Sequence, residues 1–288
     1  MRGPSGARRE RRRVIDVHTH LHPPRLFAAI RRWFAERTSW ELSAQPTEPA
    51  GVAAVLRASG VERFVFCSYA HKAGIAAEIN GWLAATAREL GGFGIPLLTV
   101  HPDDPDPLGD ARAALDAGCR GMKLHEDVQR VAIDDPRLTP VLAELAARGA
   151  FLLVHVGPIP WRYPRDEGPR RVRNVLRAHP ALRLVVAHMG APDTHAYFAM
   201  MDEFANLHLD TTMVFASGSP VGGARDFDAA TLAARAERIL YGTDYPNVPY
   251  PYESERAGIV RLELGEAAER AIFRENAARL LAFPSRLQ

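Results

Sequence analysis

The sequence predicts a (β/α)8 TIM barrel of the α/β class. Three observations carry that prediction. Eight short apolar runs rich in Val, Ile, Leu and Phe alternate with longer Ala/Leu/Arg segments of helical period. The runs are nearly continuous in apolar residues, as parallel strands covered on both faces require. Eight strand–helix units in about 270 residues match the size of such a barrel. A doubly wound open sheet is the alternative. No Gly-x-Gly-x-x-Gly follows the first run and no Gly-x-x-x-x-Gly-Lys occurs, so a nucleotide fold has no specific support.

Taken in order, the strand candidates are 14–20 (VIDVHTH), 63–69 (RFVFCSY), 93–100 (FGIPLLTV), 119–125 (CRGMKLH), 151–157 (FLLVHVG), 182–190 (LRLVVAHMG), 207–214 (LHLDTTMV) and 238–244 (RILYGTD). Helical segments lie between them at 25–37, 49–59, 73–90, 108–117, 137–148, 169–178, 195–205 and 227–236, with a closing helix at 265–282. Asp106 before Pro107 fits a helix N-cap, and Asp103 and Asp104 fit turn positions. Pro-rich segments at 101–107 and 157–169 are loops; the second carries Trp161, Arg162, Tyr163 and Arg165 and is long enough to cover a pocket.

No repeat or Pro/Gly/Ser linker divides the chain, so residues 14–288 are expected to form one domain behind a disordered basic tail at 1–13. Six arginines and one glutamate give that tail a charge of +5; of the total +2, the remainder therefore carries −3. A mildly acidic body gives no nucleic-acid footprint. No stretch of 18 apolar residues suggests a membrane span. Cys67 and Cys119 are two lone thiols, expected as small buried hydrophobes in a cytoplasmic protein. Trp33, Trp40 and Trp82 are expected to serve packing.

Chemistry concentrates at the strand ends. His18 and His20 close the first strand; alternation puts them on one face, with Asp16 of the same parity one pleat below. Of the eleven histidines, seven follow or end strands: His18, His20, His71, His101, His125, His155 and His188. Asp244 ends the eighth run. In a barrel these ends converge on the face where active sites are built. His22, His179, His195 and His208 lie elsewhere. Imidazole and carboxylate are the ligands divalent metals accept. His18, His20, His155 and Asp244 are the candidate ligands, with an open position for water. His188 is placed to orient a substrate oxygen or move a proton, and Asp244 to receive one from that water.

These motifs resemble the amidohydrolase superfamily: Asp-x-His-x-His on strand 1, LLVHVG on strand 5, VVAHMG on strand 6 and Gly-Thr-Asp-Tyr-Pro on strand 8. The nearest branch is the amidohydrolase-related group that includes aminocarboxymuconate-semialdehyde decarboxylase. Gly121-Met122-Lys123-Leu124-His125 resembles that group's strand 4, and Asn276-Ala277-Ala278-Arg279-Leu280-Leu281 its closing helix. The resemblance implies that His18, His20, His155 and Asp244 hold one divalent metal, with zinc the expected ion and a second ion admitted. It implies that His188 is a catalytic base in single-metal members and a second-metal ligand in two-metal ones. Glu126 departs from the pattern, since many relatives carry Pro after Lys-Leu-His.

Lys123 shares a face with His125 and is expected to bind a substrate anion or an internal carboxylate. Carbamylation, as in two-metal relatives, is the alternative. His125 and Arg162 are the further substrate-binding candidates; Arg165, Arg170 and Arg171 form a basic loop that could hold a carboxylate. The expected activity is metal-dependent hydrolysis of a small amide, lactone or ester. The alternative is non-oxidative decarboxylation of a small aromatic carboxylic acid. A barrel that binds without catalysis would lack a ligand position, and all are filled. The expected partner is a small-molecule substrate, with a homodimer compatible and neither nucleic acid nor membrane implied.

Overall fold

The computed structural model describes residues 13–156, 167–219 and 227–281. Its strands are β1 (Val14–His20), β2 (Val61–Cys67), β3 (Gly94–Pro96), β4 (Gly121–His125), β5 (Phe151–His155), β6 (Arg183–Val186), β7 (Leu207–Asp210) and β8 (Ile239–Leu240). All neighbouring pairs are parallel, in the ladders β1-β2-β3 and β4-β5-β6-β7-β8. Backbone bonds join the ladders at both seams. Leu98 N–H donates to Gly121 O at 2.9 Å and Lys123 N–H to Leu98 O at 2.8 Å. On the other side Val17 N–H donates to Tyr241 O at 2.9 Å and His20 N–H to Tyr245 O at 2.8 Å. The eight strand positions therefore follow one another around a ring, as the sequence predicts.

Several strands are shorter than their apolar runs, for local reasons. β3 is short: its pairing with β2 ends with Leu97 N–H donating to Phe66 O at 2.9 Å, while Pro96 O accepts from Arg120 N–H at 3.0 Å on the β4 side. β6 ends at Val186 because His188, Met189 and Gly190 take φ values of 56°, 55° and 70°. Gly190 is required there: a Cβ would lie 2.0 Å from the Tyr197 ring. β8 pairs only over Ile239–Leu240, and Asp244 lies beyond it at φ 65°.

The predicted helices are present within a few residues of their expected ends. Asp106 caps its helix by accepting from Gly109 N–H at 2.8 Å. The closing segment breaks into Glu266–Arg270, a π turn at Ala271–Glu275 and Asn276–Leu281. Two helices among the described residues, the single turn Glu126–Gln129 and Glu253–Val260, fall where no helix is predicted. Among the described residues, no helix is long and apolar enough to cross a membrane.

The core has two layers. Ile15, Val17, Val65, Leu97, Phe151, Leu153, Val185 and Leu240 fill the barrel, joined by Ala277 and Leu280 of the closing helix. A larger cluster lies between strands and helices. Both cysteines are free and buried, Cys67 in the inner layer and Cys119 in the outer, as expected of small hydrophobes. Burial pushes both thiols up to about 12. Burying a side chain of Phe151 size removes some 1.5–3 kcal/mol of apolar exposure, which is roughly what each inner position contributes.

Candidate active site

A register shift in β1 builds the site. Asp16 pairs with Phe64, but three residues later Thr19 pairs with Phe66, so β1 carries one extra residue. Ile15 and Val17 lie in the inner cluster below the shift. Above it, His18 and His20 take over the inner face, while Thr19 turns to donate to Val65 O at 2.8 Å. Asp16 thereby leaves the face of the two imidazoles, contrary to simple alternation, though its Oδ1 accepts the backbone N–H of His18 at 3.1 Å. It accepts from Thr243 Oγ1 at 2.7 Å and Tyr252 Oη at 3.0 Å. Burial lifts its carboxyl to about 7 against those bonds. Asp16 ties β1 to the segment after β8.

His18 Nε2 and His20 Nε2 lie 3.1 and 2.8 Å from the same atom, Asp244 Oδ1. His18 Nδ1 is 2.8 Å from Asp210 Oδ2. Asp210 Oδ1 accepts the backbone N–H groups of His188 at 2.9 Å and Thr212 at 3.1 Å. Asp210, fully buried at the end of β7, was not singled out in the sequence, where it closes an ordinary LHLD strand. Lys123 Nζ reaches His18 Nε2 at 2.9 Å. Gly242 makes this packing possible: a Cβ there would meet Thr212 Oγ1 at 2.5 Å and His18 Cβ at 3.0 Å.

The electrostatics follow from these contacts. Burial and Lys123 push His18 down, but Asp210 and Asp244 outweigh them and hold it above the usual histidine range. Burial opposes ionisation of Asp244 and Asp210, yet their histidine partners keep both low, Asp244 strongly so. Burial lowers His20 in spite of Asp244. It takes His188 down to about 4 and His125 and His155 well below the usual value.

Metal fits this donor set. With its Nδ1 proton given to Asp210, His18 turns its Nε2 lone pair toward the Asp244 carboxylate and Lys123 Nζ. Two acceptors in contact need a cation or a proton between them; the imidazolium proton, the neighbouring Lys123 ammonium or a divalent ion can supply it. Cys67 Sγ also lies close enough to group with His18 and His20, all within 4.8 Å. It sits 3.4 Å from His20 Nδ1, the edge turned away from Asp244, so Cys67 and Asp244 approach His20 from opposite sides.

Other predicted residues are placed unevenly. His155 ends β5 beside His125, with rings stacked 4.0 Å apart, and lies 4.7 Å from His188. His188 is 5.6 Å from His18 between ring centres. Its Nδ1–H donates to Thr212 O at 3.1 Å, leaving Nε2 bare. His71 is exposed and stands apart from this cluster, and His101 faces Asp103 at 3.7 Å. His22, set aside in the sequence, is buried against His20. Arg162, like Trp161, Tyr163 and Arg165, lies outside the described residues.

Arg170 and Arg171, expected in a basic loop, lie instead in the helix Glu167–Ala178 and pair with carboxylates of the chain. Arg170 pairs with Asp134 at 3.7 Å, and Arg171 with Glu126 at 3.3 Å and with Glu167. Glu126 also accepts from Ile133 N–H at 2.7 Å, which gives this departure from the family pattern a structural role.

A barrel whose strand ends gather histidines and carboxylates around one point defines a TIM-barrel protein of enzyme type. A family model described as Amidohydrolase matches residues 15–283, and the chain belongs to that family. Its members are generally metal-dependent. An uncharacterised TIM-barrel protein from Bordetella bronchiseptica is similar at 23% identity and TM-score 0.74, covering 94% of this chain and 98% of its own. A 2,6-dihydroxybenzoate decarboxylase complexed with 2,6-dihydroxybenzoate is 19% identical at TM-score 0.65, covering 93% and 98%. The 5-carboxyvanillate decarboxylase of Sphingomonas paucimobilis is 17% identical at TM-score 0.64, covering 94% and 99%. No curated protein sequence matches.

Proposed function

We propose that this protein is a hydrolase of small amides, lactones or esters that works with one divalent ion, zinc, held by His18, His20, His155 and Asp244. The observation that carries this is the meeting of His18 Nε2 and His20 Nε2 on Asp244 Oδ1. A divalent ion there would polarise a substrate oxygen and lower the pKa of a water toward neutrality. Asp244, held ionised by its histidines, takes the proton of the attacking water. His188, neutral near pH 7, presents an unprotonated Nε2 that orients that water or receives its proton. Lys123 Nζ and His125 line the same rim and hold the substrate oxygens.

Lys123 favours a second reading. Its Nζ, buried beside His18, suits a substrate carboxylate, as decarboxylation of a small aromatic acid requires. Two of the similar structures are decarboxylases by name. One experiment separates the readings: turnover in 18O-water, with products weighed by mass spectrometry. Label in the product supports hydrolysis; carbon dioxide release without label supports the lyase. For the metal, His18→Ala with His20→Ala should abolish bound zinc in elemental analysis, and full retention would refute the ligand assignment.

A further inference from the structure

We propose that His22 is a specificity-determining residue whose Nε2–H binds a carboxylate oxygen of the substrate beside the His18–His20–Asp244 centre. The inference rests on that centre being the active site. His22 follows β1 and is 1% exposed. Its Nδ1 lies 2.8 Å from Ser68 Oγ, and its Nε2 is buried without a hydrogen-bond partner among the described residues.

The orientation of that nitrogen comes from the neighbouring ring. His22 stacks on His20 with centroids 5.5 Å apart and planes 7° from parallel. His20 Nδ1 faces Cys67 and Tyr69, and His22 Nδ1 faces Ser68, the residue between them. With both Nδ1 edges turned to the end of β2, both Nε2 edges face the other way. For His20 that direction is Asp244. His22 Nε2 is therefore aimed along the same rim.

Its chemistry follows from counting partners. Ser68 Oγ–H donating to Nδ1 satisfies both groups and leaves the proton on Nε2. The opposite tautomer leaves the serine proton without an acceptor as well. A buried N–H without a partner destabilises a fold unless something completes it. An oxygen acceptor is what this N–H lacks. Negative charge on it suits the setting: Arg31 packs on Phe27 at 5.0 Å, the same ring that His22 meets at 5.1 Å. Arg31 is held by the carbonyls of Leu42, Gln45 and Pro246, and among the described residues no carboxylate pairs with it.

The test uses the full-length zinc-loaded protein, with benzoate and 2-hydroxybenzoate as probes in isothermal titration calorimetry. His22→Phe keeps a flat ring on His20 and removes the donor. His22→Gln restores an N–H near the Nε2 position. We expect His22→Phe to weaken binding at least ten-fold, His22→Gln to recover part of it, and zinc content to stay at the wild-type level in both. In wild type, the His22 Nε2–H resonance should shift on saturation with either probe. Unchanged affinity in His22→Phe with zinc retained overturns the inference and leaves the active-site reading standing. Loss of zinc in His22→Phe makes His22 a support of His20, and overturns it too. Failure of wild type to bind either probe overturns the carboxylate assignment and this inference with it. Zinc retained in the double alanine variant of His18 and His20 overturns instead the reading on which it rests.

Discussion

Replacing Asp210 with Asn tests the site at one atom. Both backbone N–H groups that Asp210 accepts, from His188 and Thr212, go to Oδ1, while Oδ2 alone faces His18 Nδ1. Asparagine keeps the first two bonds by placing its own Oδ1 there. Its NH2 then lies against His18 Nδ1, and two donors cannot face each other at 2.8 Å. The ring must move its proton to Nε2, where it would block the lone pair proposed to bind the metal. Changes of this kind behind a metal-bound histidine lower affinity by about 10–100-fold. That corresponds to about 1.4–2.8 kcal/mol at the usual conversion. The fold should lose little, since only one of three bonds changes; a shift in melting temperature of more than a few degrees is not expected. The assay is zinc affinity by competition with a fluorescent chelator, together with 15N spectra that report the His18 tautomer. Wild-type zinc affinity with the His18 proton still on Nδ1 would refute the reasoning.

Three further outcomes follow from the same geometry. Glu255 is buried and accepts Phe215 and Ala216 N–H at 3.0 Å each, holding the turn after β7. Glu255→Ala strands both donors and should cost about 2–4 kcal/mol in urea unfolding. Burial raises the Glu255 carboxyl well above its ordinary 4.5, so the folded state holds its proton more tightly than the unfolded. Its contribution to stability is full below pH 4.5 and falls as pH rises toward the elevated value; Glu255→Gln should flatten that fall. Gly242→Ala forces a methyl against Thr212 and His18. It should cost about 1–3 kcal/mol and reduce bound zinc, and a fully loaded, equally stable variant would show the close approach to be unimportant. Leu153→Ala in the inner layer should destabilise by about 2–5 kcal/mol by thermal or denaturant unfolding without altering zinc stoichiometry.

The strands were legible because each apolar run is short, nearly unbroken and ended by a polar residue. His18, His20 and Asp244 were legible because they stand at such ends. Asp210 was not: a single carboxylate after LHL carries no spacing signal, and its role depends on His18, 192 residues away. Asp16 was misplaced because alternation assumes a regular strand, and the extra residue in β1 is set by pairing with β2. The helix Glu253–Val260 was hidden behind a Pro- and Tyr-rich stretch, and its purpose shows only in Glu255 gripping a distant turn. His22 was passed over because it lies beyond the strand; only the fold lays it on His20. A signal did exist, since it continues the two-residue spacing of His18 and His20.

Ala277 and Leu280 of the closing helix join the inner layer at the end of the barrel remote from the histidines. The barrel interior is thus packed solid beneath the histidines, with the closing helix as its floor. The chain's last helix therefore supports its first strand: a truncation that removed Ala277 and Leu280 would unseat Ile15 and Val17, and with them the footing of His18 and His20.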